Sequence, residues 1–136
     1  MDSPFRTISI ALLFLNHRDY PWLPNNRVEY SSHQAKCHPP ELIIVDGHGR
    51  AHPRRFGVAC WIGVNTDIPS IGCAKETLMH YNGKIGKKRG NYLFIKDKKG
   101  IIGAVLVTQD NTKPVFVSPG HRVSLKTSIE IILHLS

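Results

Sequence analysis

The sequence predicts a single α/β domain built on a mostly parallel sheet. Its 136 residues fit one domain, and a content of 41% hydrophobic and 21% charged residues is an ordinary globular composition. A β-branched apolar run, a helical segment rich in small residues and a second short apolar run follow one another within about 35 residues, the size of a β-α-β unit. One compact core is therefore expected.

The β-α-β unit begins with a strand over residues 42–45, which ends in the glycine-rich loop 46–49. Residues 56–64 are predicted to form a helix that packs closely on the sheet despite its two glycines. A second strand, 70–74, follows Pro69. Because crossover connections join parallel strands, these two strands are expected to run in the same direction.

The second half predicts a hairpin, one more strand and a final helix. Strands 92–95 and 101–108 flank a lysine-rich turn, and strand 114–117 leads into the segment 118–121. A helix is predicted from residue 124 because its apolar residues recur at helical spacing. No C-cap signal follows, so this helix is expected to run to Ser136.

Residues 1–40 differ in kind from residues 41–136, and we treat them as a poorly specified N-terminal segment before the domain. They carry turn and linker signals without a sustained period. Their best apolar run, 8–15, is about half of the roughly 20 residues that a membrane helix needs, and no signal cleavage site follows it. Three cysteines without a CxxC pair support neither a disulfide framework nor a zinc ribbon. A cytoplasmic protein with no membrane partner is expected.

Three polar residues, Asp46, Lys75 and His121, each follow a predicted strand. Ligands of open α/β sheets bind outside the carboxyl ends of the strands, so these residues are expected to share one site. Asp46 suits a hard divalent cation, Lys75 could stabilise an oxyanion or position a nucleophilic water, and His121 could bind metal or transfer a proton. The alternative is a turn residue at Asp46 and ordinary solvated side chains at the other two positions.

The loop after the first predicted strand carries two histidines, His48 and His52. They are four residues apart, as in helical metal pairs, but the surrounding glycines and Pro53 disfavour a helix, so zinc is weakly indicated. The glycines of this loop could instead bring backbone amides close to a ligand. No P-loop motif occurs, and a P-loop nucleotide site is therefore not expected.

The net charge is +8, from 18 basic and 10 acidic residues, which favours a polyanionic partner such as nucleic acid. Much of the excess lies in one loop and in the turn after it. We call this loop the basic loop and define it by Lys84, Lys87, Lys88 and Arg89. Tyr81, Tyr92 and Phe94 lie alongside and could stack on bases. The alternative is a hairpin with a solvated charged tip.

Three segments of the chain resemble the endonuclease V family, nucleases that cut nucleic acid beside deaminated bases, chiefly inosine. They are VDGHGRAHPRRFG (45–57), DIPSIGCAK (67–75) and KPVFVSPGHRVS (113–124). The resemblance covers residues 41–136. It implies a ribonuclease-H-like mixed sheet flanked by helices, incomplete in this chain. It also implies Mg²⁺-dependent cleavage, with Mn²⁺ as an alternative ion, at the second phosphodiester bond 3′ to the lesion.

The resemblance also implies roles for individual residues. Asp46 matches a metal-binding carboxylate, His121 a histidine of the metal site and Lys75 the lysine near the scissile phosphate. His52 matches a histidine with an accessory catalytic role. The pocket for a flipped-out base, read largely through main-chain groups, would be formed by Gly47, His48 and Gly49. The basic loop would contact phosphates.

Residues 1–40 depart from the family pattern. The family places another metal-binding Asp on its first strand and a Glu in a Phe-Arg-Glu segment after a Pro-Tyr wedge. The nearest carboxylates here, Asp19 and Glu29, match neither motif. The expectation is a partial, monomeric endonuclease for inosine-containing DNA or RNA, impaired as encoded. The alternatives are a non-catalytic nucleic-acid-binding fragment and an unstable fragment with no function of its own.

Overall fold

The computed structural model describes residues 10–13 and 40–136, which form one six-stranded mixed sheet with a helix on each face. In chain order the elements are β1 (Ile10–Leu13), β2 (Leu42–Asp46), α1 (Val58–Thr66), β3 (Ser70–Ala74), β4 (Tyr92–Asp97), β5 (Gly100–Leu106), β6 (Val115–His121) and α2 (Leu125–Leu135). The order of strands across the sheet is β1-β2-β3-β6-β5-β4. Neither helix in the described ranges has the length and apolar content to cross a bilayer.

The predicted β-α-β unit is confirmed, with β2 and β3 parallel and α1 between them. The second strand of the unit spans Ser70–Ala74, as predicted. Beyond β3 the sheet turns antiparallel, because β6 pairs with β3 and the hairpin β4–β5 pairs with β6. The sheet is therefore mixed, which agrees with the ribonuclease-H-like architecture that the resemblance implies.

Strand β1 is an element that the sequence patterns do not predict. It lies in the N-terminal segment and pairs in parallel with β2, with Ile10 opposite Leu42. Four consecutive apolar residues have no alternation, and such a short run does not distinguish a strand from a piece of helix. The possible carboxylates Asp19 and Glu29 lie outside the described residues.

The core lies on both faces of the sheet. On one face Ile44 and Ile71 pack with Ile132 of α2. On the other face Val45 packs with Ala59 of α1. Because β2 and β3 are covered by a helix on each side, both faces of these strands are apolar, which explains the unbroken hydrophobic runs in the sequence.

Candidate functional site

A cavity of about 470 Å³ lies at the carboxyl ends of β2 and β3. Its described lining consists of Asp46, His48 and the segment 74–78. Asp46 and Lys75 reach it from neighbouring strands, because the ends of parallel strands meet at one edge of the sheet. The cavity also contains Glu76, which directly follows Lys75 but follows no pattern that marks it in the sequence.

His121 does not reach this cavity, and the prediction that it shares a site with Asp46 and Lys75 is wrong. Strand β6 runs antiparallel to β3, so its last residue lies beside Ser70 at the start of β3. Asp46 lies beside Cys73 near the end of β3. Strand rise and spacing then place the Cα atoms of His121 and Asp46 roughly 14 Å apart, at opposite edges of the sheet.

A β-bulge also turns His121 towards α1. Ser70 pairs with His121, whereas the next residue, Ile71, pairs with Pro119, so Gly120 is the extra residue. A Cβ atom added to Gly63 of α1 would lie 2.2 Å from the Cβ of His121. Glycine at this position is what allows α1 to approach the end of β6 so closely.

The imidazole of His121 takes part in a contact between the end of α1 and the end of β6. Its Nε2 lies 2.9 Å from Oδ1 of Asp67, and the Arg122 guanidinium donates to Oδ2 of the same carboxylate at 3.4 Å. Asp67 is the C-cap of α1, in the left-handed conformation. The hydrogen bond with His121, and then the charge of Arg122, lower the pKa of Asp67. This contact is a structural role for the histidine.

The loop after β2 is held against the sheet by its backbone. The Gly49 N–H donates to Ser118 Oγ of β6 at 2.8 Å, and the Gly49 carbonyl accepts from the Gly57 N–H at 3.0 Å. A Cβ atom on Gly72 would lie 2.5 Å from the Gly49 nitrogen. Any larger residue at position 72 would therefore push the loop, and with it one side of the cavity, away from β3.

The structure places only part of the predicted base pocket at the cavity. His48 lines the cavity, whereas its described lining includes neither Gly47 nor Gly49. The Gly47 N–H donates to the Cys73 carbonyl at 3.3 Å, and the Gly49 N–H is bound to Ser118. Two of the main-chain donors that would read a base are thus used inside the fold, and close packing explains both glycines.

His48 is kept neutral by its surroundings. Burial is the main cause that lowers its pKa, followed by the nearby His52, while a hydrogen bond to the backbone of Glu76 and the charge of Asp46 act in the opposite direction. Its buried Nδ1 has no hydrogen-bond partner in the part of the chain that the structure describes. His52 accepts the Arg54 N–H through its own Nδ1 at 3.1 Å, which fixes the ring.

The basic loop lies at the same edge of the sheet as the cavity, because it connects the end of β3 to the start of β4. Its three lysines are exposed. Arg89 differs from them: its guanidinium donates to the Leu133 carbonyl and, at 3.2 Å, to Ser136 Oγ. Arg89 therefore binds the C-terminal end of α2, where carbonyl groups lack helical partners.

The donors at the cavity form part of a metal site. A carboxylate such as Asp46 is the ligand type that Mg²⁺ prefers, and Glu76 lines the same cavity. Within residues 10–13 and 40–136, however, no three His, Cys, Asp or Glu side chains lie close enough to hold one ion. The described residues fit Mg²⁺ in donor chemistry and supply an incomplete set of ligands.

Comparison with known proteins agrees with the motifs. A family model described as Endonuclease V matches residues 13–136. Endonuclease V of Dictyoglomus thermophilum is 55% identical over 97 residues, which are 71% of this chain and 42% of the relative. The chain thus spans less than half of that protein.

Solved structures show the same fold. Endonuclease V from Streptomyces avermitilis matches with a TM-score of 0.66 and 44% identity, over 70% of this chain and 42% of that one. Ciona intestinalis endonuclease V, solved with a 24mer DNA containing an inosine followed by a ribo-adenosine, matches with a TM-score of 0.64 and 27% identity, over 76% and 51%. The α/β fold implied by the resemblance is thus confirmed for the part of it that this chain contains.

Proposed function

The chain belongs to the endonuclease V family, and we propose that it acts as a metal-dependent endonuclease on DNA or RNA that contains inosine. The observation that carries this proposal is the cavity at the ends of β2 and β3, which is lined by both Asp46 and Lys75. The Ciona relative that was solved with inosine-containing DNA supports the substrate class.

Each group at the cavity has a role in the proposed reaction. Asp46 would hold Mg²⁺, or Mn²⁺ in its place, and such an ion supplies charge to the phosphate and lowers the pKa of a bound water. Lys75 is exposed and would neutralise charge on the oxygens of the scissile phosphate. His52, beside His48, would be an accessory group that positions the substrate.

The same cavity would receive the flipped-out base. Its volume of about 470 Å³ falls within the range of roughly 300–1,000 Å³ that is typical of small-molecule sites. Its lining combines the neutral imidazole of His48 with the apolar side chains of Ala74 and Leu78, against which a planar base can pack. Gly47 and Gly49 would support this pocket from behind, by holding the loop close to the sheet.

We expect this chain to bind inosine-containing strands better than it cuts them. Mg²⁺ held by few carboxylates keeps most of its shell as water and is bound loosely. Loose binding misplaces the attacking water, and an error of about 1 Å can cost roughly a hundredfold in rate. A nucleic-acid-binding role without catalysis is the second candidate. It is favoured because Asp46 belongs to no three-ligand cluster within the described ranges.

The proposal places the protein in the cytoplasm, acting as a single copy. Cys60 and Cys73 are buried thiols, as expected in a reducing compartment. Burial raises the pKa of Cys73 to about 12, so this thiol stays protonated and unreactive. One chain supplies every described residue of the cavity, and the proposed site therefore needs no second copy.

Single-turnover cleavage tests the proposal. Labelled strands with one inosine, and matched strands with guanosine at that position, are compared as DNA and as RNA in Mg²⁺, with binding followed by anisotropy. We expect tighter binding of the inosine strands and slow cleavage of them alone. Equal binding and equal cleavage of both strands would contradict the proposed substrate.

A second comparison tests the expected weakness of catalysis. A variant extended with the upstream strands of a relative is expected to cut far faster than this chain at matched saturation. Comparable rates would instead show that a carboxylate within residues 1–40, with Asp19 and Glu29 as the candidates, completes the metal site.

A further inference from the structure

Strand β4 carries two aromatic rings that remain uncovered on the α2 face of the sheet. Tyr92 and Phe94 are 49% and 40% exposed, and their ring centroids lie 5.2 Å apart in an edge-to-face arrangement. They line a groove of about 580 Å³ between the β4–β5 hairpin and α2, which we call the aromatic groove. Ile101, Leu125 and Ile129 also line it. The groove is separate from the cavity at Asp46.

The charges around the aromatic groove are mostly positive. Lys126 lines the groove, and Lys96 lines an adjoining cleft that shares Phe94 with it. At the end of β4, Asp97 is held by Arg55 through two hydrogen bonds of 2.5 Å, so its charge is neutralised. Glu130 is the one carboxylate in the described lining of the groove. Exposed aromatic rings among lysines are typical of surfaces that bind single-stranded nucleic acid.

The basic loop connects the aromatic groove to the cavity. It ends just before Tyr92, and the start of β4 lies at the same edge of the sheet as the ends of β2 and β3. Four strand spacings of about 4.8 Å separate β2 from β4, a distance of roughly 19 Å. At about 3.4 Å per phosphate, this distance corresponds to about six nucleotides.

We propose that the aromatic groove binds the single-stranded nucleic acid that flanks the cavity. Tyr92 and Phe94 stack on two bases, while Lys96 and Lys126 contact the phosphates beside them. The path of the strand rests on the proposed function, since it assumes that nucleic acid occupies the cavity. The contact itself involves neither inosine nor a metal ion, so it can be measured separately from both.

The test compares two lengths of unmodified oligothymidylate, 4 and 12 nucleotides, by anisotropy in EDTA. In the double variant Tyr92→Leu/Phe94→Leu the affinity for the longer strand should fall roughly tenfold or more, because leucine keeps the apolar area and removes the stacking face. The affinity for the shorter strand should not change. The matched control is Phe56→Leu, which alters a ring that is 47% exposed in the loop before α1 and should change neither affinity.

The lysines give an independent measurement. Lys126→Gln should reduce the slope of log affinity against log salt by about 0.7 for the longer strand, because one phosphate contact is lost. Unchanged affinity of the double variant for the longer strand would overturn the proposal. Loss of self-association in that variant, at unchanged affinity, would also overturn it, since the groove would then bind a second copy. A wild-type chain without preference for inosine would contradict the proposed function alone.

Discussion

Replacing Ser118 with alanine should destabilise the loop that follows Asp46. Ser118 is fully buried, and its Oγ accepts the N–H of Gly49 at 2.8 Å. Alanine leaves this buried N–H without an acceptor, which costs about 1–3 kcal/mol in the free energy of unfolding. At about 4 °C for each kcal/mol in a domain of this size, the melting temperature should fall by about 4–12 °C.

Ser70→Ala is the matched control for this prediction. Ser70 is also fully buried, and its Oγ donates to the Ala59 carbonyl at 2.7 Å. That carbonyl keeps its helical hydrogen bond within α1, so no buried group is left unpaired. The expected cost is about 0.5–1.5 kcal/mol. Urea unfolding of both variants measures the difference, and a Ser118→Ala protein no less stable than Ser70→Ala would refute this account of the loop.

Three further predictions concern charge. Neutralising the three lysines of the basic loop should weaken binding to all sequences and lower the salt slope by about 0.7 per lost phosphate contact, whereas an unchanged slope in isotherms at several salt concentrations would identify a solvated tip. Because burial lowers the pKa of His48, its contribution to stability is complete above about pH 6.5 and is lost as the pH falls below that value, where the unfolded chain binds more protons. Melting temperatures between pH 7.5 and 5 should show this fall, and His48→Gln should reduce it; an equal fall in both proteins would assign it to other groups. His121→Ala should lower the melting temperature, since the contact with Asp67 is lost, and leave any Mg²⁺ dependence of binding unchanged; an altered Mg²⁺ dependence would return His121 to the metal site.

The part of the fold that the sequence predicts well is the β-α-β unit. Its strands are short β-branched runs bounded by glycine and proline, and a crossover helix joins parallel strands almost without exception. From these two facts Asp46 and Lys75 must meet at one edge of the sheet, as they do. Local pattern and chain connectivity are sufficient for this half of the site.

The misplacement of His121 has a physical cause. After the β4–β5 hairpin, the direction of β6 depends on which strand it pairs with, and the residues of a strand do not encode its direction. Pro119 and Gly120 also resemble a turn, although β6 continues through them with a bulge. Both the edge and the face at which His121 lies therefore follow from tertiary pairing.

Arg89 shows the same limit for surface charges. In the sequence it is one of four basic residues in a loop, and nothing separates it from its three lysine neighbours. Only the packing of α2 brings the Leu133 carbonyl to its guanidinium. The local sequence indicates that a loop is basic, but it does not show which of its cations are used within the fold.

The central claim is that the cavity at Asp46 is the site of the reaction. Nicking of a labelled strand with one inosine, measured under single-turnover conditions in Mg²⁺ and in EDTA, tests this claim most directly. We expect slow nicking by the wild-type chain and by His121→Ala in Mg²⁺, none by Asp46→Ala, and none by any of the three in EDTA. Equal Mg²⁺-dependent nicking by the wild-type chain and Asp46→Ala would contradict the claim.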